Sequence, residues 1–303
     1  MHSLRRTPAI GTALLLGVGL AYFFVLPYLG PASEPHDFTG VSGDAQRGAY
    51  VVRAAGCVGC HTDPARGGET FSGGPALKTA FGTFYGPNIT PDETYGIGGW
   101  SLEQFSSALA DGLSPDGEHY FPAFPYSSYS KMSAQDVADL KAYLDNVTPV
   151  ANVRRTHELS WPFSDRKLLG LWKLLNFEAG RFQPNPNRDE AWNRGAYLVQ
   201  GPGHCAECHT QRNLLGGFYG APLAGNSQGP NGKRVPAIDA LFNHPGQPWT
   251  KEDLVLSLQT GLLPNGDTFD GLMGEFVDQS SSYLSDEDTA AISVYLFSSQ
   301  RQE

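Results

Sequence analysis

Two short strings carry the chemistry of this chain: Cys57-Val58-Gly59-Cys60-His61 and Cys205-Ala206-Glu207-Cys208-His209. Each is a C-x-x-C-H. At that spacing two thiols add across the vinyl groups of a haem, and the following histidine offers an axial nitrogen to the iron. The chain has four cysteines, and the two strings use all of them. A four-cysteine zinc site leaves both histidines unexplained, and so does a pair of disulfides. Thioredoxin-type redox chemistry needs one C-x-x-C beside a βαβ pattern, which the sequence lacks. The reading is two covalently bound haem c groups, held by Cys57, Cys60, Cys205 and Cys208, with His61 and His209 as axial ligands.

An electron-transfer haem takes a second axial ligand, commonly methionine or histidine. Beyond the initiator the chain has two methionines, Met132 and Met273, each C-terminal to one string. Both are candidate sixth ligands. His119 competes with Met132 and would give a bis-histidine iron. An iron left open would suit a catalyst. Asn88, Trp100 and Trp249 are candidate haem-pocket residues. His204 and His157 read as surface or structural residues.

The elements that position these groups come in two copies. Arg47-Gly48-Ala49-Tyr50 precedes the first string, and Arg194-Gly195-Ala196-Tyr197 the second. Pro87-Asn88-Ile89 matches Pro236-Ala237-Ile238, Trp100 matches Trp249, and Gly112 to Gly117 matches Gly261 to Gly266. Asp136 to Leu144 matches Asp288 to Leu296. In this alignment Met132 falls opposite Leu284, and the position of Met273 falls near Phe121 to Phe124. The two copies must therefore carry their methionines differently.

Each copy reads as α-helical. One helix runs into each string, over about 44–57 and 190–204. A middle helix follows an N-cap at Ser101 or Thr250, and a last helix starts at Ser133 or Ser285. Glycine- and proline-rich loops join them. Residues 150–186 belong to neither copy and form a connector with a short apolar helix over 168–175. It reads as packed between the two haem units, with a docking surface for a partner subunit as the alternative. The predicted layout is 1–35 as anchor and linker, 36–149 and 187–303 as haem domains, and 150–186 as connector.

Arg5 and Arg6 precede an uncharged run from Pro8 to Leu29, long enough for a transmembrane helix. The arginines on its N-terminal side place the bulk of the chain outside, in the bacterial periplasm at the inner membrane. A cleaved signal peptide ending near Gly30-Pro31-Ala32 is the competing reading. The net charge of −10 argues against nucleic acid as a partner.

Three segments make the reading more specific: Gly86-Pro87-Asn88-Ile89-Thr90-Pro91-Asp92, Tyr120-Phe121-Pro122-Ala123-Phe124-Pro125-Tyr126 and Lys131-Met132. They resemble the first haem domain of the multihaem cytochrome c subunits of membrane-bound alcohol, sugar and gluconate dehydrogenases. The segment from Gly201 to Thr210 is similar to the second haem domain of that family. The resemblance covers about residues 40–300. It implies an all-α chain of two tandem class I cytochrome c domains, with Met132 and Met273 as ligands. The best-known members carry three haems, and here there are two. The family takes electrons from a dehydrogenase and passes them to quinone or an oxidase. The expected role is electron transfer among redox proteins (a dehydrogenase, a bc1-type complex or a terminal oxidase, or a soluble cytochrome) and not catalysis. A dihaem enzyme of peroxidase type, with one open iron, is the alternative.

Overall fold

The computed structural model describes residues 17–20, 22, 25, 29–31, 34–239 and 248–298. In the first unit α1 (Ala45–Ala54) leads into α2 (Cys57–His61), then a hairpin of β1 (Ala76–Thr79) and β2 (Gly82–Tyr85). Helix α3 (Leu102–Asp111), the single turn α4 (Tyr126–Tyr129) and α5 (Ala134–Leu144) follow. The connector holds β3 (Glu158–Leu159) and α6 (Leu169–Asn176). The second unit repeats the plan with α7 (Glu190–Gln200), α8 (Ala206–His209), α9 (Lys251–Thr260), α10 (Gly271–Gln279) and α11 (Asp286–Ser298).

The helices start where short polar side chains cap them. Asp44, Ser133 and Asp189 each accept a first-turn N–H. Ser101 with Gln104 and Thr250 with Asp253 form reciprocal capping boxes. The helices running into the strings are shorter than the periodicity predicts. They end at Ala54 and Gln200: past the first the chain turns through left-handed backbone at Gly56 (φ 62°), and past the second Gly201 leaves helical backbone (φ −99°, ψ −108°).

In each unit the first helix packs across the last, α1 on α5 and α7 on α11. The crossing is in backbone contact. A Cβ on Gly48 would lie 2.0 Å from the Asp139 carbonyl oxygen, and one on Gly195 would lie 1.9 Å from that of Ala291. Only glycine fits there. Around the first crossing, Val51 and Val52 pack in one core with Val137, Leu140 and Leu144. Around the second, Leu198 and Val199 pack with Ile292 and Leu296. Arg47 grips Asp139 with two bonds of 2.7 Å, and Arg194 grips Asp288 at 2.7 and 2.6 Å. Bidentate pairs of this kind fix orientation as well as contact.

Two expectations need correction. The chain is not all-α: β1, β2 and β3 form a three-stranded antiparallel sheet in that order. Strand β3 comes from the connector and pairs Gly82 with Leu159 and Thr83 with Glu158. A Cβ on Gly82 would lie 2.2 Å from the Glu158 carbonyl oxygen, so β3 can dock only against a glycine. Phe84 then packs with Phe121 and Leu169 in a small core of its own. Nor does the structure contain a transmembrane helix: among the described residues no helix is long and apolar enough to cross a membrane. Most of the run 8–29 lies outside the described residues. Within it Tyr22 donates to Asp165 and lies beneath Lys167, against polar protein surface.

The connector touches both units. The buried Lys173 donates to the carbonyls of Asp111 (2.5 Å) and Gly112 (2.9 Å) and closes the C-terminus of α3, while burial pushes its pKa down to about 7. Trp172 donates to the Leu215 carbonyl at 2.7 Å, and Asn176 accepts from Asn213.

The helix crossing sets a direct test. Gly195→Ala is expected to lower the stability of the holoprotein by about 1–3 kcal/mol through overpacking. Gly99→Ala, where a Cβ meets nothing within 4 Å, should leave it unchanged. Denaturant unfolding of both variants makes the comparison.

Candidate functional site

Each string forms a short helix just past the end of the first helix of its unit. No two of the four cysteines are joined as a disulfide. Burial pushes Cys57 and Cys205 up to about 12 and Cys208 to about 11, and it raises Cys60 as well. A redox-active C-x-x-C shows the opposite, a lowered thiol pKa. Among the described residues no group of three or more His, Cys, Asp or Glu side chains could hold a metal ion, so the two pairs are not gathered into a zinc site.

The histidines are oriented identically. His61 Nδ1 donates to the Pro87 carbonyl at 2.8 Å, and His209 Nδ1 donates to the Pro236 carbonyl at 2.8 Å. That bond fixes the tautomer and leaves Nε2 with its lone pair for a metal. Burial lowers both imidazole pKa values, more than the proline carbonyls raise them, so the rings are neutral.

A loop closes over each string by the same bonds. Gly73 N–H donates to the His61 carbonyl (3.0 Å) and Gly225 N–H to that of His209 (2.7 Å). Thr62 Oγ1 accepts from Phe71 N–H, and Thr210 Oγ1 accepts from Leu223 N–H. Phe71 and Leu223 sit in left-handed backbone at φ 65° and 62°. In the first unit Gly74 and Gly86 press on the Cys60 carbonyl, where a Cβ would come within 1.8 and 1.7 Å.

The structure brings each methionine into the core of its own string. Met132 is fully buried in the cluster that includes Cys57, Val58, Trp100 and Phe124. Met273 packs in the cluster with Cys205, Ala206, Trp249 and Leu284. The misaligned repeat positions are thus exchanged: one unit offers Met132 and Phe124 where the other offers Leu284 and Met273. His119 is also buried, beside Gly30, with its carbonyl accepting from Arg166. His157 accepts from the Tyr85 N–H between the rings of Phe84 and Phe121. Asn88 gives its amide hydrogens to the carbonyls of Val150 (2.7 Å) and Asn152 (3.3 Å). It ties the connector to the loop and has no donor left for a haem propionate.

Four unpaired thiols, two histidines with Nε2 uncommitted and glycine loops closed over both strings fit two haem c groups. The cytochrome c family profile matches residues 45–148. A dihaem cytochrome c-type protein of Cereibacter sphaeroides is 40% identical over 97% of this chain and 98% of its own length. The chain belongs to the cytochrome c family. It carries two covalently bound haem c groups and transfers electrons. The cytochrome c subunit of a quinone-dependent alcohol dehydrogenase from Gluconacetobacter polyoxogenes is 38% identical over 83% of this chain and 55% of its own. The cytochrome subunit of a fructose dehydrogenase from Gluconobacter japonicus is 38% identical over 87% and 54%. The cytochrome thus spans about half the length of these dehydrogenase subunits.

The two units of the cytochrome meet through a pseudo-twofold exchange that sequence reasoning missed. Tyr50 donates to Asp288 of the other unit at 2.5 Å and accepts from the Ser285 N–H at 3.2 Å. Its counterpart Tyr197 donates to Asp136 and accepts from the Ser133 N–H at 3.1 Å. Each tyrosine closes the N-terminus of the other unit's last helix. The strings take part as well. Ser128 donates to Glu207 at 2.9 Å, and Gln279 lies 3.0 Å from where a Cβ on Gly59 would sit. Glu207 and Gly59 are the same position of the two strings. Cys60, the equivalent of Cys208, lies close enough to it to raise its pKa. The one signal in the sequence was the tyrosine kept in both Arg-Gly-Ala-Tyr copies.

Asp288 joins this interface to the Arg194 grip. Burial opposes its ionisation, but the Arg194 guanidinium and the Tyr50 hydroxyl outweigh it and hold the carboxyl below its usual range. A carboxyl whose folded pKa is depressed stabilises above its unfolded value of about 4, and that contribution is lost as pH falls through the folded value. In Arg194→Gln the acid-unfolding midpoint, followed by circular dichroism, should move to higher pH.

Proposed function

We propose that this cytochrome takes electrons from a dehydrogenase and passes them to a downstream acceptor, an oxidase, a bc1-type complex or a soluble cytochrome, on the periplasmic side of a bacterial inner membrane. The relatives named as dehydrogenase cytochrome subunits support the donor, and the acidic surface of a chain with net charge −10 suits basic patches on partners. In this reading the haem domains span 36–149 and 187–303, joined by 150–186.

Met132 and Met273 are the sixth ligands. The observation that carries this is the exchange of Met132 and Phe124 for Leu284 and Met273 around the two strings, which gives each core one methionine. Two six-coordinate irons leave no open site for a substrate, which favours a carrier over a peroxidase-like enzyme. Sulfur ligation also raises the potential relative to histidine.

Met132→Leu and Met273→Leu keep the core volume and remove the sulfur. Each should remove about half of the weak long-wavelength ferric absorbance of a sulfur-ligated haem, and each should lower one potential. If Met132→Leu leaves that band unchanged while His119→Ala alters the first haem, His119 is the ligand. Rapid cyanide binding by the resting protein would sink the carrier reading.

A further inference from the structure

Gly56 and His204 occupy the same position of the two units, immediately before the first cysteine of each string. Both lie in left-handed backbone, at φ 62° and 39°. Glycine adopts that conformation freely, whereas a side chain there costs about 1–2 kcal/mol. Such strain persists only where the surroundings impose it, and it points to function.

Those surroundings are the other unit. His204 Nε2 lies 3.1 Å from where a Cβ on Gly56 would sit. The ring stands nearly perpendicular to Tyr129, with centroids 5.7 Å apart, and 6.3 Å from Phe276 of its own unit. It reaches the Ala55 carbonyl, to which Tyr129 also donates at 2.6 Å. A ring rooted one residue before Cys205 therefore ends against the two residues that precede Cys57. The units do not need this contact to stay together. Tyr50 with Asp288, Tyr197 with Asp136, Ser128 with Glu207 and Arg53 with the Gln279 carbonyl already join them.

We propose that His204 is a positioning residue for electron transfer between the two haems. Its ring fills the seam at the pseudo-twofold axis, sets the separation of the two attachment strings and keeps water from between them. The proposal rests on the reading of the chain as a dihaem electron carrier. In the step it serves, one electron leaves a reduced iron in one unit and reduces the oxidised iron of the other. No bond forms or breaks and no proton moves.

The test uses the full-length holoprotein and His204→Gly, with Tyr50→Phe as a variant that loosens the same interface elsewhere. Glycine relieves the left-handed strain, so the variant should fold and keep both haems, which denaturing mass measurement verifies. Hydrogen exchange at the Gly56 amide should become faster. After a flash-driven injection of one electron, equilibration between the haems should slow about tenfold, or about 1.4 kcal/mol in activation free energy. An unchanged equilibration rate in His204→Gly overturns the proposal. So does a slowing that Tyr50→Phe reproduces in full, since His204 would then be one tie among several. A wild-type protein with both haems in place but no exchange between them would instead overturn the electron-carrier reading beneath it.

Discussion

At Gly48 and Gly195 one helix backbone rests on the carbonyl of another, and the remaining architecture follows from those two contacts. The close crossing fixes the rotation of α1 and α7 about their own axes. Residues three, four and seven positions on from Gly48 (Val51, Val52 and Ala55) then face the core by helical periodicity. Tyr50 and Arg53 fall on the other side and reach the second unit. The arginine beside each glycine is left to grip an aspartate of the crossing helix. The same rotation aims the end of each helix, and with it the C-x-x-C-H string that follows.

The two units then form a dimer within one chain. A twofold interface is self-complementary, so each patch meets its own counterpart's partner. The exchange of Tyr50 and Tyr197 onto Asp288 and Asp136 has that form. It also sets the strings back to back, with Gly56 and His204 meeting at the axis. Where a symmetric pair would repeat glycine, the second unit has histidine. The break in symmetry sits between the two attachment strings, where an electron carrier has most to gain from a fixed distance.

The sequence was most legible where a chemical requirement is local. The two strings, the caps at Ser101, Thr250 and Ser133, and the paired copies can all be read from adjacent residues. The sheet could not, because its strands are only two to four residues long and its third member arrives from the connector. The Tyr50 and Tyr197 bonds were hidden for another reason. A repeat alignment places Asp136 beside Asp288 but does not say that each serves the other copy's tyrosine. Asn88 reads from the sequence as a candidate haem-pocket residue. Its amide is consumed instead by the backbone of Val150 and Asn152, segments far along the chain. His204 read as structural, since nothing nearby in the sequence reveals that its backbone is left-handed or that Gly56 lies opposite.

The central claim is that two haem units of one design face each other across a pseudo-twofold axis. Electron paramagnetic resonance of the fully oxidised protein tests it most directly. The account predicts two low-spin ferric signals, each broadened by the other, with the broadening lost when one haem is reduced. Two sharp signals that ignore each other's oxidation state, or a high-spin signal from an open iron, would contradict it.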